Sequence, residues 1–143
     1  MKFLENSRDL REIPISTLAY IGDAVYEVYV RMYQCHVCQG KSGQLHKRSV
    51  NIVKAKAQAE AVRKLLPFFN EEELAVYRRG RNSHPAARSR HADPIEYRMA
   101  TGLEAVIGYL SLKKDDMRLD ELMERILEEI HEERNKTNKR EKI

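Results

Sequence analysis

Residues 18–25 read Leu18-Ala19-Tyr20-Ile21-Gly22-Asp23-Ala24-Val25, and the rest of the chain is organised around them. At about 100° per residue, Leu18, Ile21, Val25, Val28 and Met32 fall on one apolar stripe, and Asp23 points away from it. The opposite side holds Ala19, Gly22, Tyr26 and Val30, so the carboxylate is expected among small and apolar neighbours rather than on a water face. A buried, unpaired carboxylate costs several kcal/mol or takes up a proton. Asp23 therefore calls for a cation.

The surrounding stretch, with Tyr20, Tyr26, Tyr29 and Tyr33, leaves little polar surface and is expected to be the central, mostly buried helix. Pro14 and then Ser16 or Thr17 open and cap it, and it stops near Gly40. A second helix is expected from about Gln44 to Leu66, its core stripe formed by Leu45, Ile52, Ala55, Ala59, Val62 and Leu66. Its far face carries Lys47, Lys54 and Gln58. Pro67 ends it. Asn70 then caps a short third helix, with Glu71 and Glu72 in the first turn and Glu73 able to complete a capping box.

From Arg78 to His91 the sequence reads RRGRNSHPAARSRH, with five arginines, two histidines and no acid. Gly80, Asn82, Ser83 and Pro85 mark it as a loop, and its composition suits a segment that orders on binding. Asp93-Pro94-Ile95-Glu96 starts the next helix as N-cap, first-turn proline and glutamate. Ile95, Met99, Leu103, Val106 and Leu110 form its core stripe, and Glu104 lies roughly opposite, among Tyr97, Ala100, Thr101 and Gly108. A last amphipathic helix begins at Asp115 or Asp116 and turns Leu119, Leu122, Ile126 and Leu127 or Ile130 inward. Period-3.6 patterns dominate and strand alternation is absent, so the fold is expected to be all-α. Residues 1–130 are expected to form one domain, and 131–143 a polar, flexible tail that frays.

The chain is 143 residues long, which suits one domain. No apolar run approaches a membrane span and no signal-peptide core opens the sequence, so the cytoplasm is the expected address. Cys35 and Cys38 form a single C-x-x-C that would need His36 and His46 to complete a zinc site; two reduced, partly buried thiols fit better. The net charge of +4 hides an asymmetry: residues 41–92 carry twelve Lys and Arg against four Glu. A localised basic segment is what binding a polyanion requires, because phosphate contacts gain Coulomb energy and release counterions. The planar forks of arginine suit phosphate oxygens. Lys47, Lys54, Arg78, Arg79, Arg81, Arg88 and Arg90 are the candidate nucleic-acid contacts.

Two helices thus present one carboxylate each within a face of small residues. Facing each other, Asp23 and Glu104 suit Mg²⁺, which takes oxygen ligands and keeps several waters. Each acid could instead pair with a residue such as Arg98 or Tyr97, and the residues alone leave both readings open. Glu27, one turn after Asp23, is either an exposed helix glutamate or an acid that reaches the ion through water.

L-x-x-x-G-D-A-V at Leu18 to Val25, followed by E-A-V-I-G at Glu104 to Gly108, resembles the two signature helices of the ribonuclease III catalytic domain. The resemblance implies an all-α homodimer that cleaves double-stranded RNA with Mg²⁺, with Asp23 and Glu104 as catalytic metal ligands. Two further acids of the larger family are replaced by Ala19 and Thr101, and its double-stranded-RNA-binding domain is not part of these residues. The stretches LHKRSVNIVKAKAQAE and EEELAVYRRGRN are similar to the compact bacterial branch, Mini-ribonuclease III, in which the reduced acid set is normal. That branch implies trimming of the 5′ and 3′ ends of the 23S ribosomal RNA precursor. The missing acids also admit a non-catalytic double-stranded-RNA-binding module on the same fold. An all-α pyrophosphatase fits less well, since no His-Asp dipeptide is present and Glu71 to Glu73 serve as a helix start; a helical scaffold would leave the arginines unexplained.

Overall fold

The computed structural model describes residues 9–37, 55–83 and 94–141. Among them every regular element is helical, as the periodicity predicts. A 3-10 turn at Leu10–Glu12, capped by Asp9, leads into α1 (Ile15–Val37). α2 (Ala55–Leu65) runs into a second 3-10 turn, Leu66–Phe68. α3 spans Glu71–Arg81, α4 Pro94–Lys113 and α5 Asp116–Glu141. The expected part of the second helix before Ala55, and the Asp93 cap, lie outside the described residues.

The central helix is α4, not α1. Ten of its twenty residues are buried, including Ala100, Gly102, Ala105 and Gly108 on the side away from the predicted stripe, and it packs against each of the other four described helices. Ile95, assigned to its core by spacing, is instead exposed. α1 buries Leu18, Ala19, Gly22, Tyr26, Val30 and Gln34. α1 was expected to be mostly buried all round, yet of its apolar stripe only Leu18 is fully buried: Val28 is 54% exposed and Met32 68%. The face with small residues won because it lets two backbones approach, and the larger apolar residues were turned outward. Pro14, rather than Ser16 or Thr17, stands at the head of α1: its carbonyl accepts the N–H groups of Thr17 and Leu18 at 3.0 and 3.2 Å.

α3 starts as predicted. Asn70 Oδ1 accepts the Glu73 N–H at 2.8 Å, and Glu73 Oε1 accepts the Asn70 N–H at 3.0 Å, satisfying two donors a helix start leaves open. Glu73 is buried, and Arg118 at the start of α5 donates to both its oxygens at 2.8 Å. This fork ties the first turn of α5 to the first turn of α3. Between α4 and α5, Lys114 takes a left-handed φ of 61°. The Asp115 N–H reaches the Leu110 carbonyl at 3.1 Å and the Lys114 N–H that of Ser111 at 3.2 Å, which closes α4 as a Schellman motif. α5 then buries Leu119, Leu122, Ile126, Leu127 and Ile130. It continues to Glu141, with exposed side chains at 135, 136, 139 and 140.

Gly80 is a helical residue rather than a loop residue. A Cβ on it would meet Ala105 Cβ and Gly102 Cα, each at 2.9 Å, so it lets α3 lie against α4. The helix therefore runs through Arg78, Arg79 and Arg81 before it ends. The remainder of the predicted arginine loop, residues 84–91, lies outside the described residues.

Candidate active site at the crossing of two helices

α1 and α4 cross at Gly22 and Gly108. A Cβ on Gly22 would fall on the carbonyl oxygen of Glu104, and one on Gly108 on the carbonyl oxygen of Leu18. The two backbones are in direct contact, closer than any side chain permits. Asp23 follows Gly22 in α1, and Glu104 is the residue against which Gly22 packs. The crossing thus brings together the two acids that the sequence singled out.

Their environments differ from the sequence expectation. Asp23 is exposed, at the rim of the face formed by Ala19, Gly22, Tyr26 and Val30. Glu104 is the more buried acid. Burial pushes its pKa up to about 8, the neighbouring charge of Asp23 adds to this, and a hydrogen bond from Gln58 Nε2 to its Oε1 at 3.3 Å opposes it. Partial burial, then the charge of Glu27, raises Asp23 as well. Glu27 is itself bound by Arg31 at 2.5 Å. The fully buried Tyr26 phenol is raised by burial and then by the charge of Glu104, which puts it in the same electrostatic neighbourhood.

Among the described residues no Lys, Arg or His pairs with Asp23 or Glu104. Arg98 is exposed. Thr101, one turn before Glu104, donates its hydroxyl to the Tyr97 carbonyl at 3.0 Å and is turned back on its own helix. Two coupled carboxylates with raised pKa values and no described counter-charge fit an oxygen-preferring divalent cation. Among the described residues no group of three or more His, Cys, Asp or Glu gathers, so such an ion would keep most of its water.

Gln58 is what sequence reasoning missed. It was assigned to the far face of the second helix, yet it is 2% exposed and stands with Ala59, Ala61, Val62 and Leu65 on the buried face of α2. The signal was available: a lone amide between alanines in Ala57-Gln58-Ala59 is a polar group on a side built for close packing.

Of the candidate RNA contacts, Arg78 and Arg79 are exposed in the last turn of α3, and Arg81 lies over the Tyr77 ring at 5.8 Å. Cations at that end also suit the helix dipole. Lys47, Lys54, Arg88 and Arg90 lie outside the described residues. Cys35 is exposed rather than partly buried, because it sits on the outward side of α1; Cys38 lies outside the described residues. Among the described residues no helix is long and apolar enough to cross a membrane.

The ribonuclease III domain pattern matches residues 16–115, which spans both acids and the crossing that joins them. The chain belongs to the ribonuclease III family. It is similar to the Mini-ribonuclease 3 of Clostridium tetani, with 43% identity over 124 residues, covering 84% of this chain and 80% of that one. To the Mini-ribonuclease 3 of Enterococcus faecalis it is 38% identical over 131 residues, covering 90% and 99%. A crystal structure of a protein from Fusobacterium nucleatum matches with a TM-score of 0.75 at 28% identity, covering 85% of this chain and 98% of that one. The compact Mini-ribonuclease III branch is thereby shown, and so is an endoribonuclease domain of the ribonuclease III fold. Ribonuclease III enzymes act on double-stranded RNA, generally use divalent metal ions and usually work as dimers.

Proposed function

We propose that this ribonuclease III domain is a Mg²⁺-dependent endonuclease for double-stranded RNA, with Asp23 and Glu104 as its metal-binding and catalytic pair. The observation that carries this is the glycine crossing: it joins two acids from separate helices and supplies no described cation to either. A divalent ion bound there would stabilise charge on the phosphodiester under attack and lower the pKa of the attacking water. Asp23 and Glu104 would hold the ion, whose charge would attract the scissile phosphate; cleavage would leave a 5′-phosphate and a 3′-hydroxyl. Tyr26 is fully buried and within reach of the charge of Glu104.

Duplex RNA is gripped through its A-form shape and its phosphates. Arg78, Arg79 and Arg81, at the end of α3, are assigned to that contact together with Lys47, Lys54, Arg88 and Arg90 of the basic middle third. The substrate is the 23S ribosomal RNA precursor, trimmed at both ends in the cytoplasm; similarity to Mini-ribonuclease 3 supports this. The catalytic unit is residues 1–130, with 131–143 appended to it.

A homodimer is the working form. Its support is the outward face of α1, where Tyr20, Val28 and Met32 are 79%, 54% and 68% exposed and Ile21 and Val25 only partly covered. A contiguous apolar stripe of this kind marks an interaction surface, and a two-fold axis would present two acid pairs, one for each strand.

The test is Asp23→Asn, which keeps the shape of the side chain and removes its charge. It is expected to abolish cleavage of a ribosomal RNA precursor stem while leaving the fold and RNA binding intact. Cleavage at the normal rate would overturn the assignment, and binding without cleavage by the wild-type chain would favour a non-catalytic RNA-binding module.

A further inference from the structure

The acid pair rests on a third helix. Gln58 of α2 is 2% exposed, and its Nε2 donates to Glu104 Oε1 at 3.3 Å. Among the described residues Glu104 Oε2 accepts no hydrogen bond. The neighbouring Thr101 hydroxyl is committed to the Tyr97 carbonyl. A glutamate has three rotatable bonds, and a free one beside another carboxylate would swing its charge away. A single donor on one oxygen restrains that motion and leaves the second oxygen unused.

The chemistry of the donor matters as much as its position. α2 is rich in cations, with Lys56, Arg63 and Lys64 on its exposed side, yet the position facing Glu104 carries a neutral amide. An ammonium group there would neutralise the pair internally and compete with any external cation. An apolar residue would leave Glu104 without its donor. Glutamine supplies a hydrogen bond and no charge, so the pair stays both oriented and electrically unsatisfied.

We propose that Gln58 is a positioning residue: it holds the Glu104 carboxylate through Oε1 and keeps the acid pair available to a divalent cation. This rests on the Asp23–Glu104 reading above. Residues that hold a ligating side chain from behind typically contribute about 10–100-fold to metal affinity or activity, and Gln58 is placed in that class.

Two variants and the wild-type chain test it, with Mn²⁺ binding to the RNA-free protein read by electron paramagnetic resonance. Gln58→Met keeps the volume and length and removes the donor; its Mn²⁺ affinity is expected to fall about 10-fold or more, and its cleavage to need correspondingly more Mg²⁺, with KM for RNA unchanged at saturating Mg²⁺. Gln58→Lys is expected to lose Mn²⁺ binding while melting at a higher temperature than wild type in metal-free buffer, because the ammonium group takes the place of the ion. Wild-type affinity in either variant would overturn the role of Gln58. A wild-type chain that binds no Mn²⁺ while Asp23→Asn cleaves normally would instead overturn the acid-pair reading itself.

Discussion

Gly22 of α1 and Gly108 of α4 lie backbone to backbone, so that a Cβ placed on Gly22 would come within 2.9 Å of the Gly108 amide nitrogen and would fall on the Glu104 carbonyl oxygen. The atoms in the way are main chain and cannot rotate aside. Gly22→Ala must therefore push the helices apart. It is expected to destabilise the domain by about 3 kcal/mol or more, at or above the upper end of ordinary overpacking, and to stop cleavage by separating Asp23 from Glu104. Urea denaturation and a cleavage assay measure the two effects; a variant as stable as wild type would contradict the crossing.

The electrostatics of the pair give a pH dependence with a definite sign. In buffer free of divalent ions, folded Glu104 keeps its proton up to about pH 8, whereas an unfolded glutamate loses it at about 4.3. Between these values the folded state binds more protons, so stability falls as pH rises. The wild-type unfolding free energy should drop across this window by on the order of a few kcal/mol. Glu104→Gln has no proton to lose, and its profile should be flatter. Chemical denaturation of both proteins at several pH values reads the difference, and parallel curves would refute it.

The fork between Arg118 and Glu73 acts in the opposite direction. Burial pushes Glu73 up, but the paired guanidinium and the Asn70 amide hold its carboxyl below the usual range. The stability this pair contributes is present above the ordinary glutamate pKa and is lost as pH falls through the lowered one. Arg118→Met strands a buried carboxylate and should cost about 3–5 kcal/mol at neutral pH. Thermal melts at neutral pH and at about pH 4 should show the gap between wild type and variant closing in acid.

The outward stripe of α1 predicts assembly. Val28→Arg combined with Met32→Glu places charges on surface that is already half or more exposed, so the protomer fold should survive. Light scattering on the eluting protein should change from a dimer mass to a monomer mass. A wild-type chain that elutes as a monomer at micromolar concentration would remove the proposed role of this face.

Arg78→Ala with Arg79→Ala removes two exposed charges from the end of α3. Each lost phosphate contact should lower the slope of log affinity against log salt by about 0.9 for duplex B-DNA and by a comparable amount for an RNA duplex. Anisotropy titrations of a labelled duplex over a range of KCl concentrations measure it, and an unchanged slope would take these arginines out of the contact.

How far the sequence reached depends on the kind of information each residue carries. Local rules determined the all-α class, the Asn70–Glu73 capping box, the helix start at Pro94 and the inward face of α5, because caps and periodic apolar residues act within a few turns of one helix. The two acids and their small neighbours were equally legible, although the residues alone left a shared metal ion and separate ion pairs both open. What only the tertiary structure decided was which face of each helix is covered. Periodicity alone led to α1 being expected buried on both sides, the stripe of Ile21, Val25, Val28 and Met32 included, and to Gln58 as an outward residue of α2. Packing chose the sides that allow the closest backbone approach, Gly22 against Glu104 and Gly108, and α2 then met them with Gln58 inward. Close packing is a property of two surfaces at once, so no single helix can specify it. The same choice exposed the apolar stripe of α1, placed Asp23 at the rim and left Glu104, rather than Asp23, as the acid whose charge the fold must find a partner for.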